Sequence, residues 1–230
     1  MFDQSLTLLT QSDTFAVIEF LDQQEDQLKV AKTYAELVKR LYWQEKNVPD
    51  MVALARAGIQ FALAAGSAAF KQDLVKTLLL RGEAKSIAYN LASFTWIGWD
   101  EPGITLTATD QSYGLEAAKT NLRLAFELEK GDLRISRGYW IKAAHLLAAA
   151  ELAAAKQEFQ KAAIYAARDR ATADKLLACA FELLVDRLRD PHDPHFETRL
   201  DAIKSQFRSL EHGRMYIDQI DTAWRVFHSP

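Results

Sequence analysis

Apolar residues recur at steps of three and four along nearly the whole chain, which is the period of an amphipathic helix and not of a strand. The clearest run is Phe196, Leu200, Ile203, Phe207 and Leu210. A helix of this kind has one apolar face that a neighbouring element must cover. The pattern therefore predicts an all-α protein made of packed helices.

Glycine, proline and capping residues divide this pattern into about eleven predicted helices. The clearest breaks fall at residues 47–50, at Gly82, at residues 131–132 and 170–172, and at Gly213. Because most connections are short, successive helices are expected to be antiparallel. The predicted helices lie near residues 13–23, 28–46, 50–65, 67–81, 84–97, 113–130, 136–150, 152–169, 172–190, 195–210 and 213–228.

Residues 98–112 are the exception to the helical pattern. They contain Gly98, Pro102 and several threonines, a composition that favours extended or turn structure. A long loop inside a domain either carries function or is merely tolerated, and both readings are open. Trp96 and Trp99 flank its start, where an aromatic side chain can anchor a partner or be buried in the core.

Small residues recur at matched positions of the predicted helices, at intervals of about 35 residues once the irregular segment is subtracted. Small residues let two helices approach closely, while large ones fill the groove between them. The pattern is strongest in Trp140-x-x-Ala143-Ala144-x-x-Leu147, followed by Ala155, Phe159 and Ala162. The corresponding pairs elsewhere are Leu54-Ala55, Leu91-Ala92 and Leu177-Ala178, with Ala118, Leu122 and Ala125 on another second helix.

These motifs resemble the tetratricopeptide repeat family. Ala144 stands where the family usually has glycine, and Leu147 where an aromatic residue is common. The resemblance implies antiparallel helix pairs stacked as a right-handed α-α superhelix in one domain, residues 1–230. Residues 49–210 would form the repeats, interrupted by the loop at 98–112, with capping helices in 1–48 and 211–230. A general α-α superhelix and an unrelated helical bundle are the alternatives.

The net charge of −3 gives no basic field for a nucleic-acid backbone, so nucleic acid is not an expected partner. Cys179 is the single cysteine, which excludes an internal disulfide and fits a reducing compartment. The first residues lack the pattern of a secretory signal, and the most apolar runs are shorter than the roughly 20 residues that span a bilayer. The sequence therefore predicts a cytoplasmic protein that is not a membrane protein.

The chain contains no helical His-Glu-x-x-His motif, no glycine-rich phosphate loop and no Gly-x-Ser-x-Gly elbow. His192 and His195 are the one dense histidine pair, and the flanking aspartates and prolines more simply make a turn before a helix. We therefore expect no metal, no cofactor and no catalytic residues.

If the repeats stack as the resemblance implies, the first helix of each pair lines a concave groove. Polar and aromatic side chains beside the small pairs would offer donors and contact area suited to a peptide backbone or a carboxylate. The sequence thus predicts a non-catalytic protein- or peptide-binding module, an adaptor or scaffold. The predicted groove residues are Arg56, Tyr89, Asn90, Ser93, Trp96, Lys142, His145 and Lys175.

Two other functions are compatible with the sequence. One is a helical enzyme or small-molecule sensor with a pocket near residues 98–112, to which Asp100, Glu101 and His145 would contribute. The other is an oligomeric structural component that uses apolar faces of its terminal helices. Whether the protein is a monomer or a homodimer is open.

Overall fold

The computed structural model describes residues 1–228, which contain eleven α-helices, one short 3-10 helix and no strand. The predicted all-α class with neighbouring helices packed in pairs is confirmed. The 3-10 helix is Ile97–Trp99. The α-helices are α1 (Phe2–Gln11), α2 (Thr14–Asp22), α3 (Gln27–Trp43), α4 (Val48–Ala69), α5 (Leu74–Phe94), α6 (Ala108–Glu127), α7 (Asp132–Ala148), α8 (Leu152–Arg168), α9 (Thr172–Arg189), α10 (Phe196–Arg208) and α11 (Gly213–His228).

Aspartate side chains start three of the early helices by accepting a hydrogen bond from a backbone N–H of the first turn. Asp13 accepts from Ala16 at 2.9 Å at the start of α2, and Asp73 accepts from Lys76 at 2.8 Å at the start of α5. Asp26 does the same for α3. These caps satisfy donors that the helix itself leaves free.

The first of two compact units comprises Met1–Thr95 and Gly103–Leu128. In it α3, α4, α5 and α6 pack successively, and a core of small and leucine side chains lies between them. The Thr77 hydroxyl donates to the Gly66 carbonyl at 3.0 Å, which fixes α5 against α4. The buried residues of this core are Ala31, Ala62, Ala65, Leu80, Ala84 and Leu124.

The second unit comprises Trp96–Pro102 and the described part of Glu129–Pro230. Here α7 packs on α8, α8 on α9, and α10 and α11 both contact α9. The Trp140 ring contacts the rings of Trp96, Phe159 and Phe181, so aromatic side chains fill much of the core. The Ser136 hydroxyl donates to the Ala162 carbonyl at 2.8 Å and joins α7 to α8.

Helix α1 was not predicted, because the expected first helix began near residue 13. Its apolar residues Phe2, Leu6 and Leu9 do recur at helical spacing, and its one buried side chain is the polar Ser5. The Ser5 hydroxyl donates to the Met1 carbonyl at 3.1 Å, so the polar group is satisfied within its own helix. The signal for this short helix of 10 residues is therefore present in the apolar spacing, and the prediction that the first helix begins near residue 13 was wrong.

The three helices predicted near 50–65, 67–81 and 84–97 are in fact two, α4 and α5. Gly82, at which the sequence predicts a break, lies inside α5, between the fully buried Leu80 and Ala84. Burial of those neighbours outweighs the roughly 1 kcal/mol that glycine costs in a helix. The real break lies just before Asp73.

The irregular segment is shorter than the predicted 98–112. Thr107 and Asp110 form a capping box: the Asp110 N–H donates to the Thr107 hydroxyl oxygen, and the Thr107 N–H donates to the Asp110 carboxylate. Helix α6 therefore begins at Ala108, inside the region read as turn. Thr107, one of the threonines that favour extended structure in the sequence, is therefore the N-cap of a helix.

Helix α4 is long and apolar enough, over 22 residues, to cross a membrane by length and composition alone. Much of one face of α4 is buried against α3 and α5. The core helix of a soluble protein meets the same criteria, so this observation is weak support for a membrane span.

Candidate functional site

Four predicted groove residues lie in the first unit. Arg56 is exposed on α4, and its guanidinium lies 3.9 Å from the centre of the Tyr113 ring on α6, a cation–π contact that ties the two helices together. Tyr89, Asn90 and Ser93 are half-buried on α5. A role for these residues in binding a partner stays a prediction.

The other four predicted groove residues lie in the second unit, and the side chains of two of them are buried there. Trp96 is 1% exposed and its indole N–H donates to the Ala144 carbonyl at 2.9 Å, while His145 is 2% exposed. Their burial takes both off the surface that a groove would need. Burial in the core was one of the two positions that the sequence left open for Trp96, and a binding role for either residue stays a prediction. Lys175 is exposed on α9.

Lys142 is half-buried and its ammonium group lies 3.3 Å from the Glu158 carboxylate. Glu158, only 7% exposed, also accepts a hydrogen bond from Lys161 at 2.8 Å, and this bond raises the pKa of Lys161. The buried carboxylate is thus compensated by two cations. Lys142 therefore neutralises Glu158 between α7 and α8, and its availability to a ligand stays a prediction.

The first half of α5 carries an uncovered apolar surface that the sequence analysis did not identify. We define the α5 apolar face as Leu74, Val75, Leu78 and Leu79, whose exposures are 56%, 69%, 46% and 48%. At about 100° per residue, side chains at these spacings form one continuous stripe. Phe70, 57% exposed, stands just before the helix. Contiguous exposed apolar surface of this kind usually marks an interaction site.

The border of the α5 apolar face carries more positive than negative charge. Arg81 pairs with Glu127 of α6 at 3.4 Å. By helical spacing Lys85 follows Arg81 along one edge and Lys76 lies along the other. The cationic residues of this border are Lys71, Lys76, Arg81 and Lys85, and the anionic ones are Asp73, Glu83 and, from α6, Glu127.

Two features hid this face in the sequence. Leu78, Leu79 and Leu80 are consecutive, so α5 is apolar all round at that point and has no clear polar side. Reading Gly82 as a break also split the helix. A helix that is apolar on both sides is either buried on both sides or binds a partner on one of them. The three consecutive leucines were therefore the feature of the sequence that could have indicated this face.

The segment after the 3-10 helix was a candidate for a pocket with Asp100, Glu101 and His145. Asp100 is exposed, has a left-handed φ of 47°, and its carboxylate accepts a hydrogen bond from Arg225 at 2.8 Å. His145 is buried. Within residues 1–228 no three His, Cys, Asp or Glu side chains come together as a metal site.

We expect Cys179 to react slowly with thiol reagents. Burial, and then the charge of Glu182, raise the pKa of its thiol, so less thiolate is present at pH 8 than in a free cysteine. Reaction with 5,5′-dithiobis(2-nitrobenzoate) at pH 8 should be slower in the folded protein than in the same protein in guanidinium chloride. Equal rates would show an accessible, ordinary thiol.

No protein-family model, curated protein or solved structure matches this chain.

Proposed function

We propose that the protein is a non-catalytic protein-binding module that docks an amphipathic helix, bearing acidic residues beside its apolar stripe, on the α5 apolar face. The observation that carries the proposal is the exposure of four adjacent apolar side chains on one stripe of α5. Keeping them in water costs about 25 cal/mol for each Å² of apolar surface that a partner would cover.

A helix is the partner that fits the shape of this surface. An amphipathic helix presents apolar side chains at three- and four-residue spacing, which matches the spacing of Leu74, Leu78 and Val75, Leu79. Gly82 continues the stripe with no side chain and has open space around it, which lets a second helix approach closely.

We infer acidic residues beside the partner's apolar stripe from the positive charge at the border of the α5 apolar face. Carboxylates beside the apolar stripe would face Lys76 on one edge and Lys85 on the other, which favours association and fixes orientation. A second copy of this chain would bring the same positive border to the face instead, and like charges oppose that contact.

A tetratricopeptide-like architecture is part of the proposal. The motif residues that carry the resemblance on α7 and α8 are all buried, as the small-residue packing requires, which supports it. Ala143, Ala144, Ala155, Phe159 and Ala162 are each 0% exposed.

The test uses fluorescently labelled helical peptides with one leucine stripe and acidic, neutral or basic flanks. Anisotropy titration should show the acidic-flank peptide binding the wild type at least about tenfold more tightly than the basic-flank peptide. Changing Val75→Glu and Leu78→Glu together should abolish this binding, because two carboxylates would occupy the apolar stripe.

The matched control is Ile164→Glu with Met215→Glu, which places the same charges at apolar residues 52% and 57% exposed in the second unit. This variant should bind like the wild type. Equal binding of all three peptides, or binding retained by the Val75→Glu, Leu78→Glu variant, would refute the proposal. Concentration-dependent mass in light scattering would indicate a second copy, and sedimentation with anionic vesicles would indicate a membrane.

A further inference from the structure

A cavity of about 570 Å³ opens between α2, α3 and α4 in the first unit and shares no lining residue with the α5 apolar face. Its volume lies in the range of small-molecule sites. Ile18 of α2, Phe61 of α4 and a row of α4 alanines form its apolar wall. The alanines are Ala57, Ala64, Ala65 and Ala68.

The floor of this cavity carries an unsatisfied polar group. Tyr34 of α3 is fully buried, and its hydroxyl has no hydrogen-bond partner among the described residues. A buried hydroxyl without a partner costs about 1–3 kcal/mol, so such groups are rare unless something else satisfies them. The Tyr34 ring lies 6.0 Å from the Phe61 ring, centre to centre, so two aromatic side chains line the same site.

The charged group of the site is the Asp22 carboxylate. Asp22 is the last residue of α2, where the helix dipole adds partial negative charge, and no basic residue lies in that last turn. Partial burial raises the pKa of Asp22, and burial together with the charge of Asp22 raises the pKa of Tyr34. The other polar lining residues are the amides Gln27 and Gln60.

None of the ten described residues that line the cavity is Lys, Arg or His. The site therefore repels anions and leaves the Asp22 carboxylate without a cationic partner in the described structure. An ammonium group there would pair with the carboxylate by a charge-assisted hydrogen bond.

We propose that this cavity binds a small organic cation, an ammonium group carrying an aryl or alkyl chain, with the ammonium between the Asp22 carboxylate and the Tyr34 hydroxyl. The ammonium donates to the Asp22 carboxylate and to the phenol oxygen of Tyr34. The apolar chain lies along Phe61 and the α4 alanines. The volume accommodates a ligand of this size, and the carboxylate selects its charge.

Three probes of matched shape test the proposal: 2-phenylethylamine, 2-phenylethanol and phenylacetate, titrated at pH 7 and followed by ligand-observed NMR. The amine should bind at least about tenfold more tightly than the alcohol, because a hydrogen bond to a charged group is worth more than a neutral one. Phenylacetate should bind more weakly than the alcohol.

Asp22→Asn should weaken binding of the amine about tenfold and leave binding of the alcohol unchanged. The matched control is Glu19→Gln. Glu19 is an exposed carboxylate on the same helix outside the cavity, so this substitution should change the affinity for neither the amine nor the alcohol. Tyr34→Phe removes only the unpartnered hydroxyl and should fold normally, yet bind the amine several-fold more weakly. Ala64→Phe should fill the cavity and reduce binding of both.

Equal affinity for the three probes, or an amine affinity unchanged by Asp22→Asn, would overturn the proposal. Failure of the amine to bind at millimolar concentration would overturn it as well. None of these outcomes bears on helix docking at the α5 apolar face, which uses different residues and a different probe.

Discussion

Replacing Trp96 with alanine should lower the free energy of unfolding by about 3–5 kcal/mol. The indole is 1% exposed, contacts the rings of Trp140 and Phe181, and donates to the Ala144 carbonyl. The substitution removes the largest fully buried side chain and leaves a cavity that rigid neighbouring helices cannot close. Guanidinium chloride denaturation followed by circular dichroism at 222 nm measures the effect.

Trp43→Ala is the matched control, since Trp43 is 55% exposed and the change in side chain is the same. Its cost should be about 1 kcal/mol or less. Trp96→Phe should fall between the two, because it keeps most of the ring volume and loses the hydrogen bond. A Trp96→Ala variant no less stable than Trp43→Ala would show that Trp96 does not fill the core of the second unit.

The sequence predicted the helical class well, because helix periodicity is a local property that each helix carries in its own residues. The start of α9 at Thr172 and the start of α11 at Gly213 follow from local punctuation, and both were predicted. Small residues at motif positions also predicted close packing of α7 and α8, and Ala144 and Ala155 are fully buried.

A tertiary contact decided one of the features that were missed, and a local cap decided another. Gly82 has the local character of a helix break, yet Leu80 and Ala84 on either side are held in the core, and the helix continues. Thr107 was counted as part of a threonine-rich extended run, but the carboxylate of Asp110 makes it a cap. In each case a contact that the three- and four-residue spacing of apolar residues does not describe determined where the helix begins or continues.

The candidate sites were harder to predict than the fold. Exposed polar residues are expected on any helix, so a polar set such as Arg56 and Lys142 carries little information, and the structure engages both in contacts within the protein. Exposed apolar residues and buried unsatisfied polar groups carry more information about a site. Whether Leu78 faces water, or the Tyr34 hydroxyl lacks a partner, depends on neighbours distant in the sequence.

A second large effect is expected at Gly58, where α4 lies against α3. A Cβ atom at this position would lie 2.7 Å from the Cβ and 2.8 Å from the Cγ of Tyr34, and 3.2 Å from the Cδ1 of Ile87. The Cβ of Tyr34 is fixed by its backbone and cannot rotate away, so α3 and α4 must separate. Alanine favours the helix by about 1 kcal/mol, but overpacking against a fixed Cβ should cost about 3 kcal/mol, the upper end of its usual range, so Gly58→Ala should be destabilising by about 2 kcal/mol.

Gly82→Ala provides the matched comparison, because Gly82 is also inside a helix and has no atom within 4 Å of the new Cβ position. Here only the helix preference acts, and the variant should be more stable than the wild type by about 0.5–1 kcal/mol. Thermal unfolding followed by circular dichroism should therefore give melting temperatures that move in opposite directions. If both variants were stabilised, α3 and α4 would not approach as closely as Gly58 allows, and the cavity floor at Tyr34 would have to be placed differently.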